Sequence, residues 1–358
     1  MMTEDMNMDE ERIVISRNLQ EDLVLALSEC EHDRLFVLTD TNTTEHCWPL
    51  IKDFLCLKQA ELLTIAAGDE HKTIDTANEV WQQLSQQGAT RHSCLINLGG
   101  GMVTDLGGFV AGTFKRGINY INMPTSLLAM VDASTGGKTG VNLNGLKNEI
   151  GVFNHPSFVI IHTPFLQTLD HQNFLSGYAE MLKHGLIDSE SLWAETLQLE
   201  LTERSTERIE LLLLRNIEVK RRIVAADPKE QGLRKALNVG HTIGHALETF
   251  TNYHTEDGLL HGYAVAFGLI GELYLSAIKC GFPTDRLRQT VHFIRENYGQ
   301  PSFSCNDYDE LLSLMQHDKK NISGIIHFTL LGDIGKVRLN QTATELEIKE
   351  ALDFIREG

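Results

Sequence analysis

Positive charge is scarce in this chain of 358 residues, which contains 31 Lys and Arg against 49 Asp and Glu. The net charge of −18 repels nucleic acid and anionic membranes, and the sequence has no basic run that offsets it. We therefore predict neither nucleic acid nor membrane as a partner. An anionic ligand would need a local cluster of cations against this background, so each group of Lys and Arg residues requires an explanation.

Cysteine and long apolar runs are also sparse. The cysteines are scattered without a C-x-x-C pair, so free thiols in a reducing compartment are expected and no catalytic cysteine is predicted. The longest apolar stretches, such as Leu127–Val131 and Leu211–Leu214, fall far short of the about 20 residues that span a bilayer. The acidic segment Met1–Arg12 lacks the features of a secretory signal. We expect a cytoplasmic protein.

The sequence pattern changes near residue 169. Before this point, β-branched runs alternate with amphipathic stretches such as Ile74–Gln87, which predicts a mainly parallel sheet covered by helices. The expected strands are Ile13–Ile15, Leu35–Thr39, Cys94–Leu98, Tyr120–Met123 and Phe158–His162. The first domain is therefore predicted to be α/β.

Helical patterns dominate after residue 169. The expected helices are Phe174–Ile187, Leu192–Leu214, Ile217–Ala226, Thr242–Phe250, Ala264–Ala277 and Asp309–Met315. Only Ile325–Leu331 and Lys336–Leu339 have an extended pattern. These features predict a mainly α-helical second domain, and a cleft between two such domains is a usual ligand site.

A glycine-rich segment, Gly99–Asp105, directly follows one of the predicted strands. Glycines there allow the backbone to approach a pyrophosphate, whose charge a helix N-terminus favours. Thr104 occupies the place of the third glycine in the dinucleotide fingerprint, so a nucleotide loop and an ordinary tight turn fit equally well. Ribose and adenine contacts could fall at Asp40–Asn42 and Gly68–Lys72, although a plain strand end or solvated loop also explains each segment.

A second glycine-rich segment, Asp132–Gly140, contains Lys138 and is followed by Lys147 and Asn148. Backbone N–H groups and ammonium ions in such a loop can converge on a phosphate or carboxylate. The Walker spacing fails, because Asp132 stands where the first glycine would be needed. A mobile surface loop is the alternative interpretation.

Histidines and a glutamate form a candidate metal site. His241 and His245 are four residues apart on a predicted helix, a spacing that can chelate zinc, and His261 and Glu180 lie elsewhere in the sequence. A catalytic zinc site needs three protein ligands and an open position. The spacing alone leaves open which three of these four residues would bind, and a partly buried imidazole is the ordinary explanation for any one histidine.

The remaining basic residues form a candidate anion site. The densest basic region runs from Lys220 to Arg222 and continues at Arg234 and Lys235. A solvated helix face explains some of these charges, whereas convergent desolvated cations would indicate a multiply charged anion. The cations considered are Arg116, Lys183, Lys220, Arg234, Lys319 and Lys320.

These segments, in this order, resemble the 3-dehydroquinate synthase family over about Val37 to Lys320. The matching stretches are Gly99–Gly108, Arg116–Lys138, Lys147–Gly151, Ser176–Gly185, Asn238–Glu248, His261–Gly268 and Asp318–Lys320. The resemblance implies an NAD-binding α/β domain over residues 1–168. It implies a mainly α-helical metal- and substrate-binding domain over residues 169–358.

The resemblance also implies roles for individual residues. Glu180, His241 and His261 would bind the metal, and His245 would handle substrate and protons. The residues implied for NAD are Asp40, Asn42, Asp69, Lys72, Gly99, Gly100, Gly101, Met102, Asp105, Thr125, Ser126, Lys138, Lys147 and Thr168. Those implied for the substrate are Asp132, Lys138, Lys147, Asn148, Lys183, Lys220, Arg234, Asn238, one or both of Lys319 and Lys320, and Arg116, which could come from a neighbouring subunit.

The activity implied by the resemblance is that of a phosphate-eliminating carbon–oxygen lyase of the shikimate pathway of aromatic amino acid biosynthesis. It would convert 3-deoxy-D-arabino-heptulosonate 7-phosphate into 3-dehydroquinate and phosphate by transient NAD oxidation, phosphate elimination, reduction and aldol closure. The expected cofactors are NAD and Zn2+, Co2+ or another divalent ion, and a homodimer is expected. The alternatives are a cyclase acting on sedoheptulose 7-phosphate, an iron-type polyol dehydrogenase, and a non-catalytic NAD-binding homologue.

Overall fold

The computed structural model describes residues 12–144, 146–201, 206–255, 258–316 and 325–357. The chain divides into two compact units, Met1–Leu169 and Asp170–Gly358. Two of the candidate substrate cations, Lys319 and Lys320, lie outside the described residues.

The first unit alternates strands and helices for most of its length. Its strands are β1 (Arg12–Ile15), β2 (Leu35–Asp40), β3 (Glu61–Ile65), β4 (Cys94–Gly99), β5 (Asn119–Pro124), β6 (Lys138–Leu143), β7 (Leu146–Phe153) and β8 (Phe158–Ile161). Its α-helices are α1 (Leu19–Glu29), α2 (Thr41–His46), α3 (Ile74–Gln86) and α4 (Gly101–Thr113). The predicted fold class is confirmed for this unit.

The main sheet of this unit is parallel, in the order β1-β8-β5-β4-β2-β3. Every residue of β2 and β4 is buried, as expected for central strands that are covered on both faces. The order changes direction between these two strands, since β3 lies beyond β2 whereas β5 and β8 lie beyond β4. Ligands of open α/β sheets usually bind at the carboxyl ends of the strands next to such a switch point.

The glycine-rich segment around Lys138 was interpreted as a loop, but in the structure Lys138 lies in a β-strand. Lys138 begins β6, which pairs antiparallel with β7 in a separate hairpin and places Lys138 opposite Phe153. Polar and glycine residues dominate both strands, so the sequence lacks the β-branched run that indicated the strands of the main sheet. Cross-strand backbone pairing, which is not visible in the sequence, holds this hairpin together.

The second unit is mainly helical, as predicted. Its helices are α5 (His171–Asp188), α6 (Glu190–Leu197), α7 (Thr206–Ala226), α8 (His241–His254), α9 (His261–Cys280), α10 (Thr284–Tyr298), α11 (Tyr308–Gln316) and α12 (Glu345–Glu357). The strands β9 (His327–Asp333) and β10 (Lys336–Thr342) form an antiparallel pair.

The predicted division of helices in the first part of this unit was wrong. A helix over Leu192–Leu214 and a second over Ile217–Ala226 were expected, but α6 ends at Leu197 and α7 continues without a break to Ala226. The buried side chains of α7 recur every three or four residues across the expected boundary, at Ile209, Leu213, Ile217 and Lys220. This single buried stripe explains why one helix forms there.

Helix α9 lies in the core of its unit and packs closely against α8. Within the described part of the chain, α9 is the one helix that is long and apolar enough to cross a membrane, and 67% of that apolar window is buried inside the protein. A Cβ atom on Gly268 would lie 1.9 Å from the carbonyl oxygen of Gly240. Glycine is therefore required at this crossing, where the start of α8 packs against α9 about two turns after the first residue of α9.

Candidate active site

The buried carboxylate of Glu180 forms the centre of a polar cluster in the second unit. Glu180 lies on α5 and is fully buried, and the ammonium group of Lys183, 1% exposed one turn later, donates a hydrogen bond to Glu180 Oε2. The other oxygen, Oε1, lies 3.5 Å from His241 Nε2 and 3.4 Å from His261 Nε2. Within the described residues this oxygen has no hydrogen-bond partner, which is unusual for a buried carboxylate.

The Nδ1 atom of each imidazole, on the opposite side of the ring from Nε2, lies within hydrogen-bond distance of an oxygen atom. His241 Nδ1 lies 3.2 Å from the carbonyl oxygen of Val239, and His261 Nδ1 lies 3.2 Å from Glu248 Oε2. Such contacts fix the ring orientation and the tautomer of metal-binding histidines, because the proton on Nδ1 leaves the lone pair on Nε2. Both Nε2 atoms therefore face the same carboxylate oxygen.

The spacing of these three ligand atoms fits a divalent metal ion. Tetrahedral zinc with bonds of about 2.0–2.1 Å separates neighbouring ligand atoms by about 3.3–3.4 Å. The two distances from Glu180 Oε1, 3.5 and 3.4 Å, are close to this separation. The ligand atoms of Glu180, His241 and His261 all lie within 4.8 Å of one another, which supplies three ligands and leaves a fourth position for substrate or water.

His245 lies beside this cluster, with its ring centroid 5.2 Å from that of His241 and 5.9 Å from that of His261. A second possible ligand group joins His245, Glu248 and His261. In that group, Glu248 already holds His261 through Nδ1, whereas the first group contains Glu180 Oε1, a buried oxygen that has no hydrogen-bond partner among the described residues. The geometry therefore favours Glu180, His241 and His261 as ligands, with His245 at the edge of the site.

Burial and the neighbouring charges both shift the pKa values of the residues in this cluster. Burial, together with the nearby Lys183 ammonium, lowers the pKa of His241 to about 3, although Glu180 opposes this shift. Burial alone would raise the pKa of Glu180, but Lys183 and His241 hold it well below its usual value. Burial also acts to lower the pKa of His261, but the carboxylates of Glu248 and Glu180 outweigh it and raise that pKa to about 10.

A loop organised by Asp227 carries two further candidate residues. The carboxylate of Asp227 accepts backbone hydrogen bonds from Gly232 at 2.6 Å and from Arg234 at 3.0 Å. The guanidinium of Arg234 donates to the carbonyl oxygen of Pro228 at 2.7 Å, and the Asn238 amide donates to Glu230 at 2.7 Å. Sequence reasoning missed Asp227, since neither its spacing nor its residue type marks it.

The candidate NAD residues of the first unit gather at the carboxyl edge of the parallel sheet. Leu38 of β2 pairs with Asn97 of β4, and Gly99 pairs with Pro124 at the end of β5. Asp40, Gly99 and Thr125 therefore follow or end neighbouring strands at the same edge, beside the switch point. The N–H of Thr125 also donates to the carbonyl oxygen of Gly99 at 3.0 Å.

The turn between β4 and α4 fits a diphosphate group. Gly100 is the N-cap of α4 and provides no side-chain cap, so the first N–H groups of this helix depend on other partners. A Cβ atom on Gly100 would lie 3.3 Å from Ser126 Oγ, and one on Gly101 would lie 3.3 Å from the Ala133 Cβ. Glycines therefore allow Ser126 and Ala133 to pack close to this turn, and the helix N-terminus favours an anion there.

Cys47 joins three of the candidate NAD residues, a connection that sequence reasoning missed. Its thiol forms hydrogen bonds with the hydroxyl groups of Thr168 and Thr125 and lies near the carboxylate of Asp40. Burial raises the pKa of the Cys47 thiol to about 11, with Asp40 adding to the effect and the two hydroxyls opposing it. The thiol is therefore protonated at neutral pH and acts here as a packing and hydrogen-bonding group.

A polar network links the remaining candidate residues near α4. The buried ammonium of Lys72 donates to Asp105 Oδ2 at 2.9 Å and to Asn148 Oδ1 at 2.6 Å. Lys147 Nζ lies 3.1 Å from Asp69 Oδ2. Asn142 completes the network, because its amide donates to the Asp69 carbonyl oxygen at 3.1 Å and accepts from the Asn148 N–H at 3.0 Å.

The structure leaves some candidates apart from these groups. Arg116 is exposed in a left-handed turn just before β5, so it lies toward the amino ends of the strands, opposite the glycine turn. Asn42 is exposed on α2. Asp132 does not belong with these residues, since it is partly buried in the short π-helical segment Ala129–Ala133. Lys138 is exposed at the start of β6.

Comparison with known proteins agrees with this organisation. A family profile described as 3-dehydroquinate synthase N-terminal matches residues 62–176, and one described as 3-dehydroquinate synthase C-terminal matches residues 177–321. A curated 3-dehydroquinate synthase of Parabacteroides distasonis is 51% identical over 351 residues, which cover 98% of this chain and 99% of the relative.

Two solved structures share the fold. A 2-epi-5-epi-valiolone synthase from Streptomyces hygroscopicus, with NAD+ and Zn2+ bound, superposes with a TM-score of 0.84 at 24% identity. A 2-deoxy-scyllo-inosose synthase complexed with carbaglucose-6-phosphate, NAD+ and Co2+ also gives a TM-score of 0.84 at 24% identity. In both comparisons, 97% of this chain and 96% of the other are covered.

Proposed function

The chain belongs to the 3-dehydroquinate synthase family, and we propose that it converts 3-deoxy-D-arabino-heptulosonate 7-phosphate into 3-dehydroquinate and phosphate. Such an enzyme is a phosphate-eliminating carbon–oxygen lyase of the shikimate pathway. The observation that carries this proposal within the molecule is the buried Glu180 carboxylate, which faces the Nε2 atoms of His241 and His261 beside the Lys183 ammonium.

Glu180, His241 and His261 would hold a divalent ion, for which Zn2+ and Co2+ are the candidates. When bound, the ion supplies Lewis-acid polarisation of substrate hydroxyl oxygens, and NAD supplies a reversible hydride acceptor that is regenerated in each turnover. The glycine turn at Gly99–Met102 would hold the diphosphate of NAD, and Asp40 and Thr125 lie at the same sheet edge. We propose residues 1–168 as the NAD-binding domain and residues 169–358 as the metal- and substrate-binding domain.

Cations of the second unit would hold the anionic groups of the substrate. Lys183, Lys220 and Arg234 are each at most 5% exposed, although charged side chains are rarely buried in proteins. Desolvated cations bind carboxylate and phosphate more strongly than solvated ones, because the local dielectric is low. These residues would fix one conformer of the substrate, and His245, whose ring lies beside both proposed imidazole ligands, would exchange a proton with it.

The hairpin of the first unit would supply further contacts. Lys138, Lys147 and Asn148 lie on β6 and β7, and Asn142 and Lys72 hold the Asn148 end of this hairpin in place. Lys147 and Asn148 would bind the substrate, and Lys147, together with Asp69, Lys72 and Asp105, would also contact NAD. The shared network would couple the two sets of contacts, because Lys72 and Asn142 both bind Asn148.

Phosphate release tests the reaction directly. We expect phosphate to be released from the heptulosonate phosphate without net formation of NADH, and we expect release to stop when a chelator is added or when NAD is absent from the stripped protein. Sedoheptulose 7-phosphate, which lacks the carboxylate, should be a poor substrate. Equal turnover of sedoheptulose 7-phosphate would indicate another sugar phosphate cyclase, and no turnover of either compound would contradict the proposal.

Replacement of Asp227 tests the loop that carries Arg234 and Asn238. We expect Asp227→Asn to raise the KM for the heptulosonate phosphate about tenfold, because the loop would hold Arg234 less firmly against the substrate. Loss of one charge-assisted contact between Arg234 and the substrate, about 1.5 kcal/mol, corresponds to this factor. The backbone N–H groups, that of Gly232 first, lower the pKa of Asp227, so the carboxylate stabilises the loop at neutral pH and this support is lost as pH falls through the lowered pKa. The measurement is KM with bound metal quantified.

Asp333→Asn provides the matched control for this variant. Asp333 also accepts hydrogen bonds, from Lys336 and from the N–H of Ile334, that lower its pKa. No catalytic role is proposed for it, so its replacement should leave KM within twofold. An unchanged KM in Asp227→Asn would show that the loop does not depend on this carboxylate.

The proposal includes a cytoplasmic homodimer. The exposed Arg116 lies on the side of the sheet opposite the glycine turn, where it is available to a second subunit. Light scattering coupled to gel filtration would measure the mass directly, and a monomer at micromolar concentration would contradict this part of the proposal.

A further inference from the structure

The N-terminus of α8 is capped by a side chain from another helix. Glu272, which lies on α9, accepts a hydrogen bond from the Gly240 N–H at Oε2, at 2.7 Å. Its other oxygen, Oε1, accepts from the N–H groups of Thr242 at 2.8 Å and Ile243 at 3.1 Å. Gly240 itself has no side chain to cap the helix, so Glu272 takes over that task from a distance of 32 residues in sequence.

The surroundings of Glu272 make this arrangement rigid. Its side chain is fully buried, and a buried carboxylate is tolerated only when it is paired or hydrogen-bonded. The positive end of the α8 dipole and three backbone N–H groups provide this compensation together. Movement of the first turn of α8 would leave a buried negative charge without partners, so the geometry of this turn is strongly fixed.

The capped turn contains the proposed metal ligand His241. This residue lies between Gly240 and Thr242, and the N–H groups of both neighbours are held by Glu272. Its side chain therefore leaves the backbone in a fixed direction, and the Val239 carbonyl oxygen fixes the ring at Nδ1.

Helix α9 is thus connected to both imidazoles. His261 is the first residue of α9, and Glu272 lies three turns further along the same helix. Helix α9 supplies one candidate ligand directly and positions the other through Glu272. The two Nε2 atoms lie 3.5 and 3.4 Å from Glu180 Oε1.

We propose that Glu272 is a positioning residue that sets the geometry of the divalent-ion site by holding the first turn of α8. This inference rests on the proposed function, in which Glu180, His241 and His261 bind the ion. Glu272 itself does not touch the ion, because both of its oxygens are directed at the backbone of α8.

Cobalt binding provides a test that does not depend on turnover. The protein is stripped of metal, titrated with Co2+ and examined by its visible absorption spectrum, which reports the coordination geometry, and the affinity is measured by competition with a chelator. We expect Glu272→Gln to weaken Co2+ binding about 10- to 100-fold, the usual loss for residues that orient metal ligands, and to change the spectrum. Glu272→Asp retains the charge but shortens the side chain, and it should give a smaller loss in the same direction.

Ser276→Ala is the matched control on the same helix. Ser276 is also fully buried, and its hydroxyl accepts the N–H of Leu331 at 3.0 Å and donates to the backbone carbonyl oxygen of Glu272 at 2.6 Å. It therefore contacts β9 and the backbone of α9, but not the Glu272 carboxylate that caps α8. We expect this variant to lower thermal stability while its Co2+ affinity and spectrum stay at the values of the unmodified protein. A change in the Co2+ spectrum equal to that of Glu272→Gln would reduce the effect to general destabilisation and overturn the inference.

The two hypotheses fail in different ways. If the unmodified protein bound no Co2+ at one equivalent, the proposed metal site itself would be wrong. If the unmodified protein bound Co2+, and folded Glu272→Asp and Glu272→Gln bound it with the same affinity and spectrum, the positioning role would be overturned while the proposed function would stand.

Discussion

Replacement of His261 by alanine is expected to remove bound metal and to abolish phosphate release together. The variant loses one of three proposed ligands and leaves Glu180 and His241 alone, whereas a catalytic zinc site needs three protein ligands. Lewis-acid stabilisation is worth several kcal/mol, which corresponds to about a thousandfold in kcat/KM. Metal content by elemental analysis and initial rates of phosphate release, measured on the same preparation, provide the test.

His292→Ala is the control for this variant. The side chain of His292 is 82% exposed on α10, and its ion pair with Glu296 at 3.9 Å contributes little in solvent. We expect unchanged metal content and activity for it. Full activity of His261→Ala without bound metal would refute the ligand assignment.

Lys183→Met is expected to produce the second large effect, on the stability of the metal-free protein. Lys183 and Glu180 form a buried ion pair, and removal of the cation leaves a fully buried carboxylate without its strongest partner. Breaking a buried pair from one side costs about 3–5 kcal/mol, which corresponds to a fall in Tm of roughly 10 °C in a unit of this size. A bound divalent ion would compensate the buried charge of Glu180, so Zn2+ should restore most of the lost stability. Calorimetry with chelator and with Zn2+ measures both quantities.

Lys279→Met is the control variant, because it removes the cation of a partly exposed ion pair instead of a buried one. Lys279 lies 2.7 Å from Glu347, and both side chains are about one quarter exposed. Such pairs contribute at most about 1 kcal/mol, so Tm should change by only a few degrees. A metal-free Lys183→Met protein as stable as the unmodified chain would show that the buried carboxylate does not depend on the ammonium group.

The sequence predicted the architecture well where one short-range pattern determines it. The expected strands at Leu35–Thr39 and Cys94–Leu98 each end within one residue of the observed ends, because continuous apolar runs bounded by polar residues are typical of central parallel strands. The fold class and the family are both confirmed. Strand β3 went unpredicted, since its Glu-Leu-Leu-Thr-Ile segment at the sheet edge does not alternate cleanly.

The features that the sequence did not predict depend on contacts between residues distant in sequence. Whether helical residues continue one buried stripe, as Ile209, Leu213, Ile217 and Lys220 do in α7, depends on the neighbouring elements that cover them. The roles of Asn142 and Glu272 also arise from partners far away, at Asp69 and Gly240. Glu248 was within reach of sequence reasoning, because it lies one turn beyond His245 on the face of α8 that carries His241.

The choice of metal ligands also could not be made from the sequence spacing alone. Spacing of four residues placed His241 and His245 on one helix face, but it gave equal weight to both. Only the fold brings Glu180 Oε1 to 3.5 Å from His241 Nε2, and that distance favours His241 over His245 as a candidate ligand. The assignments of individual residues to NAD, metal and substrate stay predictions until the variants above are measured.

The pairing of β1 with β8 has a consequence for how the first unit is made in the cell. Arg12 pairs with Phe158, so the N-terminal strand finds its place only after about 150 further residues have been synthesised. At translation rates of about 5–20 residues per second, this strand waits for roughly 10–30 s while β2, β4 and β5 can already assemble. Substitutions in β1 should therefore alter the final stability of the unit more than the earliest steps of its folding, because such long-range pairing forms late.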